Sequence, residues 1–261
     1  MYKILSKCLS RRLSSVLPHI ISPNQTAFIT DRNILDGIMI VNELIHAVKR
    51  ERRSTLVIEL DFKKAYDSVS CEYLRSVQEG MGFGAKEAFR QGDPLSPFLF
   101  LLAAEGLFRI LNYAVQKGRI SGVEWAKNGA GLTHLQFADD TILFCRPEMQ
   151  EVRKIKHILT SFAVCSGLSI NFSKSRCLGI SLEEEEVQKF ADVMGCPMGK
   201  FPLNYLGMQV GLNPSTISTW CPILQIFKQK LASWRSANLS MVGRVVLIKS
   251  ALCNLCWKNV Y

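Results

Sequence analysis

A chain of 261 residues with Lys+Arg 32 against Asp+Glu 22 carries a formal charge of +10 and a pI near 9.2. That length buries a sizeable core as one large domain or two smaller ones, and the charge favours a polyanionic partner, nucleic acid before membrane. Nine cysteines without a secretory apolar segment at the start argue for reduced intracellular thiols, and the lone "CNLC" (Cys253 to Cys256) offers only half of a four-ligand zinc site.

In chain order, residues 1–50 predict two amphipathic helices, "YKILSKCLSRRLSSVL" and "ILDGIMIVNELIHAVKR", joined by "PHIISPNQTAF". "STLVIELDF" is a β-branched run suited to a buried strand, and "SCEYLRSVQEGM" follows as a helix. "SPFLFLLAAEGLFRILNYAVQ" predicts a strong helix with Ser96 as cap and Pro97 at the first helical position. Its most apolar run, "PFLFLLAA", ends at Glu105 after eight residues, too short to span a bilayer. "GVEWA" and "GLTHLQFADDTILFCR" are expected as strands, and "MQEVRKIKHILTSFAVCSG" as a helix closed by Gly167. "LSINFSKSRCLGI" is strand-like; "LEEEEVQKFADVMG" and the basic tail from "ILQIFKQKL" onward are helical. Strands mixed with long helices in no regular alternation make the fold class α+β.

The carboxylates carry the chemistry. Asp61 ends an apolar strand, and Asp139 and Asp140 stand side by side in a strand–turn–strand pattern. Adjacent aspartates at a turn are often simply solvated. If these strands share a sheet, however, all three converge at one edge, where their repulsion suits one or two Mg²⁺ ions. Two such ions activate an attacking oxygen and stabilise a leaving one in phosphoryl transfer, so polymerase and nuclease are both open on spacing alone.

A third stretch, "FRQGDPLSPFLF" at residues 89–100, runs a rigid turn into a helix N-terminus whose free amides suit a phosphate or base. "LDFKKAYDSV", "RQGDPLSPFLF" and "FADDT", in that order, resemble the palm motifs of reverse transcriptases, most closely those of non-LTR (LINE-type) retrotransposons. The resemblance covers essentially the whole chain. The opening helix through "SPNQTAFI" is similar to the family's finger segment, "GLSINFSKS" to its next palm motif, and "FPLNYLGMQVG" to the turn that grips the primer. It implies a right-hand polymerase: partial fingers at 1–54, palm at 55–180, and a primer-grip and thumb-like region at 181–261. RNA template, DNA primer and deoxynucleotide are the implied partners, with no membrane, and nuclear DNA is where the family's chemistry takes place.

By the same resemblance Asp61, Asp139 and Asp140 hold the Mg²⁺ (or Mn²⁺), joined by the peptide carbonyl of Phe62. Tyr66 excludes a ribose 2′-hydroxyl, although a packing role at the strand–helix junction explains the ring equally well. Gln91 and Gly92 line the nucleotide and template pocket, and Lys174 stands near the leaving pyrophosphate as a proton donor or is a plain surface lysine. Asp67 fits a helix N-terminus and Asp93 holds its turn. Lys228, Lys230, Arg235, Arg244 and Lys249 fall where the family contacts the duplex backbone.

Departures are equally specific. The family's Arg-Pro-Ile segment, whose arginine meets the triphosphate, does not precede "YKI", and only "AKEAF" separates "EYLRSVQEGMGFG" from "RQGDP", where relatives carry a longer insert. This gap, between about 84 and 90, is expected to strip Tyr73 and Leu74 of packing partners and expose apolar surface. The pattern is that of a truncated, internally deleted retroelement copy. Three functions therefore compete: an active RNA-directed DNA polymerase, favoured by the intact carboxylates; a catalytically dead nucleic-acid-binding remnant; and a remnant that does not fold. The missing finger material weighs against present activity.

Overall fold

The computed structural model describes residues 2–63, 65, 68–82, 95–124, 131–213, 216, 217, 220, 221, 224, 225, 228 and 242. Tyr66, Asp67, Gln91, Gly92, Asp93, Lys230, Arg235, Arg244, Lys249 and "CNLC" lie outside the described residues. Six helices and six strands are described: α1 Tyr2–Ile20, α2 Ile34–Arg50, β1 Thr55–Leu60, α3 Cys71–Gly80, α4 Ser96–Gln116, β2 His134–Phe137, β3 Asp140–Cys145, α5 Met149–Ser166, β4 Arg176–Ile180, α6 Glu184–Met194, β5 Leu203–Tyr205 and β6 Met208–Val210. The mix of helices and antiparallel sheet is α+β, as expected.

The chain divides into two compact units, Met1–Gly37 with Ala47–Lys200, and Ile38–His46 with Phe201–Tyr261. In the first, four antiparallel strands run in the order β2-β3-β1-β4. Alternation along β1 sends Leu56, Ile58 and Leu60 to one face, where they join Leu143, Cys145 and Cys177 under α4, α5 and α6. Phe100, Leu107, Leu111, Leu159, Phe162 and Met194 fill that layer. Burying one such side chain contributes roughly 1.5–3 kcal/mol, so this face anchors the unit.

Helix α4 serves two cores at once. Phe100, Leu107 and Leu111 enter the layer under the sheet, while Leu99, Leu101 and Leu102 meet Leu17 and Ile21, with Leu9 and Leu13 of α1 part-buried against them. The four-residue spacing of Leu9, Leu13 and Leu17 is the stripe that makes α1 amphipathic. Apolar on most of its circumference for that reason, α4 is the one described helix long and apolar enough to cross a membrane, and more than half of it is buried inside the protein.

Several elements differ from the sequence expectation in position. Leu95, not Ser96, caps α4, so Ser96 and Pro97 fall inside its first turn; Pro97 fits there because the first turn needs no N–H from it. "GVEWA" contributes only an isolated bridge, Val123 to Leu132, among its described residues. In "LSINFSKSRCLGI" the strand starts at Arg176, because residues 171–175 close a turn in which Asn171 accepts the amides of Lys174 and Ser175. Tyr73 and Leu74 are not exposed: both are part-buried against the core, with Tyr73 set edge-on to Phe162 and its hydroxyl donating to the Ala103 carbonyl at 3.1 Å. The packing partners are α4 and α5.

In the second unit β5 and β6 form a hairpin through Leu206 and Gly207, both with positive φ, and Asn42 accepts the Gly211 amide at 3.0 Å.

Candidate active site

The register of β1 against β3 places Leu60 opposite Thr141. One step further along this antiparallel pair sets Asp61 opposite Asp140, on the sheet face away from the α4–α6 layer. Glu59, two residues before Asp61, shares that face. Asp139 occupies the two-residue β2–β3 loop, directly before Asp140. All four carboxylates are part-exposed, and the neighbouring apolar residues of the same face, Val57, Ile142 and Phe144, are buried.

Negative charge accumulates here. Burial, then Asp139, Glu59 and Asp61, push the Asp140 carboxyl up to about 7. Burial also raises Asp139, with Asp61 adding to it against an opposing backbone hydrogen bond. Glu59 is raised by burial and by Asp61, and Arg176, its partner across the β1–β4 ladder, pulls the other way. The carboxylates thus feel one another, yet among the described residues no three His, Cys, Asp or Glu side chains are gathered around one point as a ready ligand set.

Asp61 is pinned through its backbone. Its N–H donates to the Ser175 hydroxyl at 3.1 Å, that hydroxyl donates to the Asn171 carbonyl at 2.9 Å, and the Asn171 N–H donates to the Asp61 carbonyl at 2.7 Å. Ser175 is fully buried. The same turn carries Lys174, whose side chain is exposed, to the Asp61 end of the sheet. Phe62 bridges to Ile170 and its ring is buried in the core. Lys228 is exposed on a helical residue of the second unit. The fold therefore brings Asp61, Asp139, Asp140 and the Lys174 turn together.

Sequence reading missed Glu59, Asn171 and Ser175. A signal existed for Glu59, since a glutamate two positions from Asp61 in a strand must share its face. None existed for Ser175, whose contact spans 114 residues of chain.

Residues 1–210 match the family of reverse transcriptases (RNA-dependent DNA polymerases). The chain belongs to that family. This reverse transcriptase domain is 26% identical over 290 aligned positions to the transposon TX1 uncharacterized 149 kDa protein of Xenopus laevis, an alignment covering 98% of the chain and 22% of that protein. It is 26% identical over 215 positions to the Pol polyprotein of the type-2 retrotransposable element R2DM of Drosophila melanogaster, covering 71% of the chain and 19% of the relative. An uncharacterized mitochondrial protein of Arabidopsis thaliana matches at 48% over 52 residues, 20% of the chain and 43% of that protein. These likenesses make it a reverse transcriptase domain of the non-LTR, LINE type, and the chain spans about a fifth of the two retroelement proteins.

Proposed function

We propose that this domain is the catalytic part of an RNA-directed DNA polymerase, with partial fingers in 1–54, palm in 55–180, and primer grip and thumb-like region in 181–261. The observation that carries the reading is the register that ends with Leu60 opposite Thr141, so that the next residues, Asp61 and Asp140, with Asp139 beside them, feel one another at one end of the sheet. The chemistry of the donor set suits a divalent cation: three carboxylates, with the proton affinity of Asp139 and Asp140 raised first by burial and then by neighbouring carboxylates. Asp61, Asp139 and Asp140, with the Phe62 carbonyl, would hold Mg²⁺, or Mn²⁺ in its place. When bound, the ion supplies positive charge for the phosphates of the nucleotide.

The chain's own residues do the rest in this reading. The β1–β3 ladder and the Ser175–Asn171 bridge hold the carboxylates in place while a primer 3′-hydroxyl displaces pyrophosphate from a deoxynucleotide. Lys174, on the adjoining turn, donates a proton to the departing pyrophosphate. Tyr66, Gln91 and Gly92 shape the nucleotide pocket. Lys228, Lys230, Arg235, Arg244 and Lys249 meet the RNA template–DNA primer backbone.

A second reading, a domain that binds nucleic acid without extending a primer, is favoured by one finding: the TX1 alignment runs over 290 positions against 261 residues, so the relative contains segments that this chain lacks. Primer extension on poly(rA)/oligo(dT) separates the two. Incorporation by the wild-type chain that disappears in Asp139→Ala/Asp140→Ala supports the polymerase. Salt-dependent binding by a folded chain with no incorporation supports the second reading.

A further inference from the structure

We infer that Gln25 is a positioning residue for the Asp139–Asp140 pair, an inference that rests on the carboxylate-site reading above. Gln25 lies 113 residues before Ala138 and is 3% exposed. Its Oε1 accepts the N–H of Ala138 at 3.0 Å and the N–H of Ala27 at 3.0 Å, while its Nε2 donates to the Ala138 carbonyl at 3.4 Å. One side chain thus grips both polar groups of the residue that precedes Asp139. A carboxamide accepts and donates in this way without a change of charge, and asparagine is one methylene shorter.

The gripped residue needs holding. Ala138 is the first residue of the two-residue β2–β3 loop and has φ 54, a backbone region where glycine is the usual occupant. An alanine there is strained, and such strain persists only where the surroundings over-determine the conformation. Without the grip the loop can relax, and its relaxation swings the carboxylates of the next two residues off the register that faces Asp61.

Gln25 is itself held by a frame. The Thr26 N–H donates to the Gln136 carbonyl at 3.0 Å, the Gln136 N–H to the Asn24 carbonyl at 2.9 Å, and Asn24 Nδ2 to the His134 carbonyl at 2.8 Å. Residues 24–26 therefore run along the open edge of β2. The Arg32 guanidinium donates to the carbonyls of Ser22 and Gln25, both at 2.6 Å, and of Ile21 at 2.9 Å, and the buried Glu105 accepts the amide and hydroxyl of Ser22. A loop that follows α1 is in this way built to control the geometry of a loop in the sheet.

The test compares wild type, Gln25→Met, Gln25→Glu, Ala138→Gly and Gln25→Met/Ala138→Gly. Mn²⁺ affinity is measured by electron paramagnetic resonance, and amide exchange by mass spectrometry of the 135–144 segment. Gln25→Met, which keeps the volume and removes both hydrogen-bonding atoms, is expected to weaken Mn²⁺ binding about tenfold, the usual effect of removing an outer support of a ligand. Its exchange at Ala138 and Asp139 should rise by at least the same factor. Adding Ala138→Gly, which tolerates positive φ, should restore most of the Mn²⁺ affinity, a rescue that a general packing defect would not show. Gln25→Glu keeps the acceptor and stands in if Gln25→Met does not fold; its expected exchange lies between the two. Mn²⁺ affinity within twofold of wild type in folded Gln25→Met overturns the proposal. Should wild type bind no Mn²⁺, the cation-site reading fails by itself, and the exchange result alone decides the positioning role, unchanged exchange overturning it.

Discussion

At the scale of single residues, Asp140 and His134 pull stability in opposite directions with pH. Asp140 is held near 7 in the folded chain, above its ordinary value, so its contribution is present in acid and lost as pH rises from about 4 to 7. Without divalent cations, Asp140→Asn should stabilise the protein by about 2–4 kcal/mol at pH 8 and by almost nothing at pH 4, as read from urea midpoints in chelator. His134 is fully buried against Phe108, its Nδ1 shared with the Thr133 hydroxyl, and burial lowers it to about 4. A depressed histidine costs stability as pH falls from about 6.5 to 4, and His134→Gln should flatten that loss. Urea titrations at pH 7 and pH 4.5 check it; equal acid sensitivity in both chains would contradict it. Of the candidate site, Asp61, Asp139 and Asp140 stood out in the sequence because a carboxylate beside an apolar run demands an explanation. Gln25, Asn171 and Ser175 were not, since a polar residue in a loop gives no sign of a partner more than a hundred positions away.

At the scale of elements, the docking of α3 on α4 turns on one close approach. A Cβ at Gly106 would stand 1.9 Å from the Tyr73 hydroxyl oxygen. Gly106→Ala should therefore cost about 1–3 kcal/mol despite better helix propensity, by driving Tyr73 off the Ala103 carbonyl. In a Tyr73→Phe background, which by itself costs about 1 kcal/mol, the same change should cost little. A urea double-mutant cycle with no coupling between these sites would contradict that account. Gly167 ends α5 at φ 79, and a Cβ there would meet the Ser68 carbonyl oxygen at 2.3 Å. Gly167→Ala should lower stability by about 2–4 kcal/mol, with the urea slope unchanged. Most elements were legible from period and caps: α2 and the Gly167 stop fall where the pattern set them. The β4 start was not, because Asn171 and Ser175 use their backbone in a turn that apolar periodicity does not register.

At the scale of the whole molecule, a formal charge of +10 has no bearing on the fold and a direct one on association. Binding of an RNA–DNA duplex should fall at least about 100-fold between 50 and 200 mM salt, and little salt dependence would remove nucleic acid as the partner of this basic surface. Strand order was hidden from the sequence: β4 lies beside β1 although three helices and a hairpin intervene, and only this places the Lys174 turn against Asp61. Whether Asp61, Asp139 and Asp140 form one divalent-cation site is decided by titration with Mn²⁺ followed by electron paramagnetic resonance. Binding by wild type that weakens at least about tenfold in both Asp61→Asn and Asp140→Asn, with each variant folded, is the predicted result. Equal binding in all three chains would contradict it.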